Sequence, residues 1–306
     1  MSVAAKLAAY GAALALIVIG AFAVGTAVGP LSPATAPAGV GGHTDASSGA
    51  VAEAGLASSS GGYTLTPTDA TLTPGIPEIF AFRVTGPDGT ALTAFEVEHD
   101  KRMHLIVVRR DGTGFQHVHP EMAADGTWSL PVTLPSAGSY RAFADFTPAG
   151  GTGTGRGVDL AAPGPFEPVA HAPSRTAHVD GYTAELAGDL LPGRASPVTL
   201  TVTRDGQPVT DLQPYLGTYG HLVALREGDL AYLHVHPVGA PADGVPAFGP
   251  QVEFLAEVPS AGTYRLFLDF RHAGAEHTAE FTVSTGPTDP APAGHTEPPG
   301  APAHGH

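Results

Sequence analysis

The chain has 306 residues, a formal net charge of −15 and no cysteine. That length suggests about two domains, and the negative charge argues against nucleic acid or an anionic membrane surface as partner, because both select basic patches. Without cysteine there can be no disulfide, thiolate zinc site, iron–sulfur cluster, cysteine nucleophile or blue-copper centre within the chain.

In chain order, residues 7–28 come first as an uncharged apolar run. As a helix this run is roughly 33 Å long, enough to cross a hydrocarbon core. Lys6 precedes it and the next cationic residue is Arg83. The positive-inside rule therefore puts the N-terminus in the cytoplasm and the rest of the chain outside. We read residues 1–29 as a signal anchor, a single-pass transmembrane helix that places the C-terminal domains outside the cell membrane. A cleaved signal peptide is the alternative and would leave a secreted protein. Residues 30–61, rich in Ala, Gly, Ser and Pro, read as a flexible tether.

Two similar segments follow, residues 62–162 and 180–284. They open on Gly62-Tyr63-Thr64 and Gly181-Tyr182-Thr183. Near their ends stand Pro135-Ser136-Ala137-Gly138-Ser139-Tyr140-Arg141 and Pro259-Ser260-Ala261-Gly262-Thr263-Tyr264-Arg265. This is an internal duplication. Residues 163–179 form a linker, and residues 285–306 a Pro/Gly/Ala-rich tail that is expected to be disordered and carries His295, His304 and His306.

In the first segment the pattern predicts strands at 63–66, 79–84, 104–109, 115–119, 127–132, 138–146 and 155–160. Turn signals such as Asp111-Gly112 and Asp125-Gly126 separate them. Ala-Gly-x-Tyr before an alternating strand matches the tyrosine corner of immunoglobulin-like sandwiches. The fold class is therefore all-β: two tandem antiparallel β-sandwiches of Ig-like architecture after an N-terminal transmembrane helix.

Chemistry concentrates in one constellation that occurs twice. His104 lies thirteen positions before His117 of His117-Val118-His119-Pro120, and His221 keeps that spacing to His234 of His234-Val235-His236-Pro237. Residues i and i+2 of a strand share a face. With His104 opposite His119, and His221 opposite His236, three imidazoles per segment could meet one ion. Four further residues are candidates. Asp145 and Asp269, in otherwise apolar strands, would complete the coordination or orient a ligand histidine. Met103 beside the first set adds a thioether that would favour copper over zinc. His272 follows Asp269 in the second segment only. His99, His171, His178 and His277 have no counterparts between the segments and are expected at the surface.

The stretches Tyr219-Gly220-His221-Leu222-Val223-Ala224-Leu225 and Tyr232-Leu233-His234-Val235-His236-Pro237 resemble those of a class of actinobacterial membrane-anchored or secreted tandem β-sandwich proteins with a general heavy-metal-binding label. In architecture and expected location the chain is also similar to CopC-type copper-resistance sandwiches. Those proteins use a histidine at the mature N-terminus, which here falls in or beside the apolar run, so their copper site does not carry over. The resemblance itself implies little chemistry; the histidine constellation and the anchor suggest a membrane-tethered copper or zinc binder for buffering, resistance or delivery to a transporter or acceptor protein. A zinc-dependent hydrolase or hydratase and a metal-free adhesive module are the alternatives; two near-equivalent sites suit storage better than catalysis.

Overall fold

The computed structural model describes residues 55–238 and 248–286, apart from the side chains of His234 and His236. The expected spanning helix, nearly all of the tether and the tail beyond residue 286 lie outside the described residues. Within them no helix is long and apolar enough to cross a membrane, and the fold is all-β, as the sequence predicts.

The first module contains β1 (Ser59–Ser60), β2 (Tyr63–Pro67), β3 (Glu78–Thr85), β4 (His104–Arg109), β5 (Gln116–Val118), β6 (Glu121–Met122), β7 (Thr127–Val132), β8 (Gly138–Phe146) and β9 (Thr154–Ala162). They form two sheets, in the orders β1-β2-β3-β7-β6 and β5-β4-β8-β9. The second module contains β10 (Thr176–Val179), β11 (Tyr182–Ala187), β12 (Ala195–Arg204), β13 (Gln207–Pro208), β14 (His221–Arg226), β15 (Tyr232–Pro237), β16 (Gln251–Glu257), β17 (Thr263–His272) and β18 (Ala275–Ser284). Its strands follow one path, β10-β11-β12-β16-β15-β14-β17-β18, with β13 beside β12. The modules differ at the His-x-His-Pro segment. In the first, pairing stops between β5 and β6, at His119-Pro120. In the second, β15 runs on and turns the corner from β14 to β16, where His236 pairs with Leu255.

Both tyrosine corners are formed. The Tyr140 hydroxyl donates to the Ser136 carbonyl at 2.8 Å, and the Tyr264 hydroxyl donates to the Ser260 carbonyl at 2.9 Å. Each ties its strand to the preceding loop, next to a core of alternating inward residues.

Strands facing water on one side alternate, as in β16, where Val252, Phe254 and Ala256 are buried and their neighbours exposed. Strand β4 breaks that rule, for all of its residues are buried. Leu105 and Val107 face the first core, with Phe80, Phe82 and Trp128. Ile106 and Val108 point the other way, into an apolar cluster with Phe143, Val223, Leu225, Leu230, Tyr232 and Phe267. Strand β14 does the same from the second module: Leu222 and Ala224 face its own core and Val223 and Leu225 the shared cluster. The two modules are thus packed sheet against sheet.

The seam is reciprocal. Phe115 stacks on Phe267 with ring centroids 4.0 Å apart, and Tyr232 stacks on Phe143 at 5.4 Å. Phe115 and Tyr232 are repeat equivalents, as are Phe143 and Phe267, so the contacts obey a pseudo-twofold like that of an isologous dimer. The approach is tight at the β4–β5 turn. Gly112 has φ +81°, and a Cβ there would meet Cγ of Arg265, across the seam, at 3.1 Å. Only glycine suits both demands.

Candidate metal centre

At one end of the seam the outward-facing positions of β4 and β5 carry histidines in place of aliphatic side chains. Ile106 pairs with His117, and continuing that register places His119 opposite His104. Three imidazoles converge there. Nδ1 of His104 lies 3.1 Å from Nε2 of His117 and 3.2 Å from Nε2 of His119. Among the described residues this is the one group of three or more ligand-type side chains whose donor atoms all lie within 4.8 Å of one another.

Hydrogen bonding sets the tautomers. Nε2 of His104 lies 3.1 Å from the Glu98 carbonyl. A carbonyl only accepts, so Nε2 carries the proton and Nδ1 offers a lone pair. Nδ1 of His117 lies 2.8 Å from Oδ2 of Asp269 in the other module, so His117 donates there and its Nε2 is bare. Asp269 is steadied in turn by the Thr278 hydroxyl, which donates to Oδ1 at 2.6 Å. Two lone pairs therefore face each other at 3.1 Å, and such an arrangement is relieved by a cation between them. Around an ion bound at about 2.0–2.1 Å, tetrahedral nitrogens lie about 3.3–3.4 Å apart, close to the separations here.

Burial holds two imidazoles of this end of the seam, His119 and His221, neutral. Desolvation, followed by the nearby His117, His104, Lys101 and His221, lowers His119 to about 2. Desolvation, followed by His117 and His99, lowers His221 to about 3. Neutral imidazole is the form that ligates.

The other candidates are distributed as follows. His221 is buried on the equivalent position of β14, and its ring lies 5.8 Å from His117 and 6.3 Å from His104. It donates from Nε2 to the Tyr215 carbonyl at 3.1 Å, as His104 does to Glu98. His234 and His236 keep the repeat's register, with Val223 opposite His234, while their side chains lie outside the described residues. Asp145 pairs with His104 in the ladder and accepts the Tyr232 hydroxyl at 2.9 Å. Asp269 serves a histidine of the other module, not one of its own, because the two strand faces meet at the seam.

Two expected contributors stand elsewhere. Met103 is buried in the first core, since adjacent strand positions point to opposite faces and His104 takes the seam side. His272 bonds the Tyr182 hydroxyl at 2.7 Å and Asp211 at 2.9 Å, on the core side of β17. Of the histidines expected at the surface, His99 is half-buried and His277 is buried. His99 packs edge-on against His221 at 5.1 Å and lies 6.1 Å from His104. His277 is buried against Tyr182 and Phe270 and donates to Asp180 at 2.8 Å. Comparing the repeats could not reveal either, because neither has a counterpart.

Residues 57–156 and 177–286 each match a family described as a domain of unknown function, DUF8832. The chain belongs to the DUF8832 family. The two matches coincide with the two modules and make the duplication explicit. No curated protein matches the sequence. Among solved structures, alpha-2-macroglobulin from Escherichia coli, activated by porcine elastase, is 17% identical over 73% of this chain and 20% of its own, with a TM-score of 0.25. The E. coli adhesin FdeC is 14% identical over 73% of this chain and 64% of its own, with a TM-score of 0.25. A protein from Corynebacterium diphtheriae described as membrane anchored is 12% identical over 76% of this chain and 60% of its own, with a TM-score of 0.23. This DUF8832 chain thus spans a fifth of the first and less than two thirds of the other two. Scores this low carry no functional argument, and they lend no support to the likeness with copper-resistance sandwiches.

Proposed function

We propose that this protein is a membrane-tethered, extracytoplasmic metal-binding protein that holds zinc or copper through His104, His117 and His119 for buffering, resistance or delivery. The observation that carries the reading is the pair of bare nitrogens on His104 and His117, turned on each other by the Glu98 carbonyl and the Asp269 carboxylate, with His119 beside them. A carboxylate behind a ligand histidine fixes its ring and raises its basicity. With Met103 in the core the donors are all imidazole, a set that suits Zn(II), Cu(II) or Ni(II) and removes the thioether argument for Cu(I). The apolar run at 7–28 supports the tether, and the lack of cysteine leaves imidazole and carboxylate as the ligands for an ion.

Equilibrium dialysis of the full-length chain against Zn(II) and Cu(II) tests this. Tight binding is expected that survives replacement of His295, His304 and His306 by alanine and falls by more than 100-fold in the double variant His104→Ala/His117→Ala. Unchanged affinity in that double variant would sink the proposal.

A further inference from the structure

The sequence suggests two separate ions, one per module; the geometry points to one paired-ion centre astride the seam, with His221 and His99 completing the half opposite His104, His117 and His119. This inference rests on the metal-binding reading above and adds the number, position and coupling of the ions.

Three observations carry it. First, the pseudo-twofold that exchanges the stacked pairs Phe115–Phe267 and Tyr232–Phe143 also exchanges His104 and His221, whose rings lie only 6.3 Å apart. Two sites built on symmetry mates so close to the axis must be neighbours. Second, His221 repeats the tautomer of His104. Each donates from Nε2 to the carbonyl six positions upstream, Tyr215 and Glu98, both at 3.1 Å. Nδ1 of His221 is therefore a lone-pair donor, as Nδ1 of His104 is. The residues after those carbonyls, His99 and Leu216, both take a left-handed backbone, with φ of 48° and 51°. The loop geometry is thus duplicated, and on the first module's side it presents an additional imidazole. His99 sits edge-on against His221 at 5.1 Å, across the seam from its own module. Third, the seam brings the charge needed to hold two dications together. Asp145 and Asp269 stand opposite His104 and His221 in their ladders, and Asp269 already crosses to His117. Mutual repulsion of neighbouring dications is large in a desolvated site unless carboxylates answer it.

Cu(II) titration of the full-length chain, in the background lacking the three tail histidines, separates the outcomes by electron paramagnetic resonance. Two bound equivalents with dipolar broadening and a half-field transition are expected. His221→Gln and, separately, His99→Ala should each lower the stoichiometry from two to one and abolish the half-field signal, while the first ion stays on His104, His117 and His119. Two equivalents with isolated spectra would overturn the paired centre, since the ions would then lie far apart. A single equivalent in the parent protein would overturn it too and leave the three-histidine site standing. No tight equivalent at all would remove both readings. The parent spectrum decides the matter even if a variant fails to fold.

Discussion

The two ends of the seam are built from the same strands and behave as opposites. On β8 and β17 the outward positions run Asp145, Phe143, Arg141 and Asp269, Phe267, Arg265. At the arginine end each guanidinium is answered within its own module. Arg141 bonds the carbonyls of Gly55 and Leu56, both at 2.7 Å, and Asp159 at 2.9 Å. Arg265 bonds Thr282 at 2.7 Å and pairs with Glu280, although its Nε has no partner. At the histidine end the polar groups are answered across the seam, His117 by Asp269 and Asp145 by Tyr232, and the imidazoles of His104, His117 and His119 converge. A satisfied buried network is structural.

The largest test of this contrast strikes the apolar middle that both ends share. Phe267→Ala removes the ring stacked on Phe115 and should cost about 3–5 kcal/mol of stability. If the metal centre spans the seam, ion affinity should fall in the same variant, although Phe267 touches no ion. Thermal melts and dialysis run together check this; a destabilised protein that binds metal as tightly as before would mean that each module holds its ion alone.

The arginine end should behave differently. Arg141 is 7% exposed, and Arg141→Ala strips hydrogen bonds from buried carbonyls, at a cost of about 1.5–3 kcal/mol. Metal stoichiometry should stay as in the parent. A lost equivalent in this variant would erase the distinction between the two ends.

Asp269→Asn is subtler. Asparagine can keep a bond to Nδ1 of His117 but removes the negative charge, and changes of this kind behind a ligand histidine lower metal affinity by about 10–100-fold. The melting temperature of the metal-free protein should move little by comparison. Equal affinity in Asp269→Asn and the parent would make the Asp269 contact a packing detail.

How much of this was legible beforehand depends on which face of a strand carried it. The seven strands expected in the first module and both tyrosine corners follow from alternation and turn chemistry, and each lies where the pattern puts it, while the two-residue β1 and β6 carry no pattern of their own. The placement of His117 opposite Ile106 follows from the Asp111-Gly112 turn. Alternation alone also places Met103 on the core face once His104 is on the other. The seam went unread although its signal is present. His104-Leu105-Ile106-Val107-Val108 and His221-Leu222-Val223-Ala224-Leu225 are unbroken apolar runs, and a strand that is apolar at every position has both faces covered. The roles of His99 and His221 depend on which modules meet, and no local pattern encodes that. The N-terminal anchor and the second His-x-His side chains lie outside the described residues.

The smallest predicted effect concerns the metal-free protein and pH. His119 is lowered to about 2 and His221 to about 3, from an ordinary value of 6.5, by desolvation first and by neighbouring imidazoles second. Below pH 6.5 the unfolded chain takes up protons that the folded chain refuses. Stability is therefore fully present above 6.5 and is lost as the pH falls from there toward the folded values. His221, 3% exposed, should carry most of the effect; His119 is partly exposed, and solvent screening reduces its share. Between pH 7 and 5.5 the loss should be on the order of 1 kcal/mol, read from urea melts in chelator at fixed ionic strength. His221→Gln should flatten the slope and Arg141→Ala should leave it alone, because only the histidine end holds neutral groups that the unfolded chain would protonate. A slope that is the same in parent and His221→Gln would mean that the acid sensitivity arises elsewhere, and the contrast between the two ends would lose its electrostatic basis.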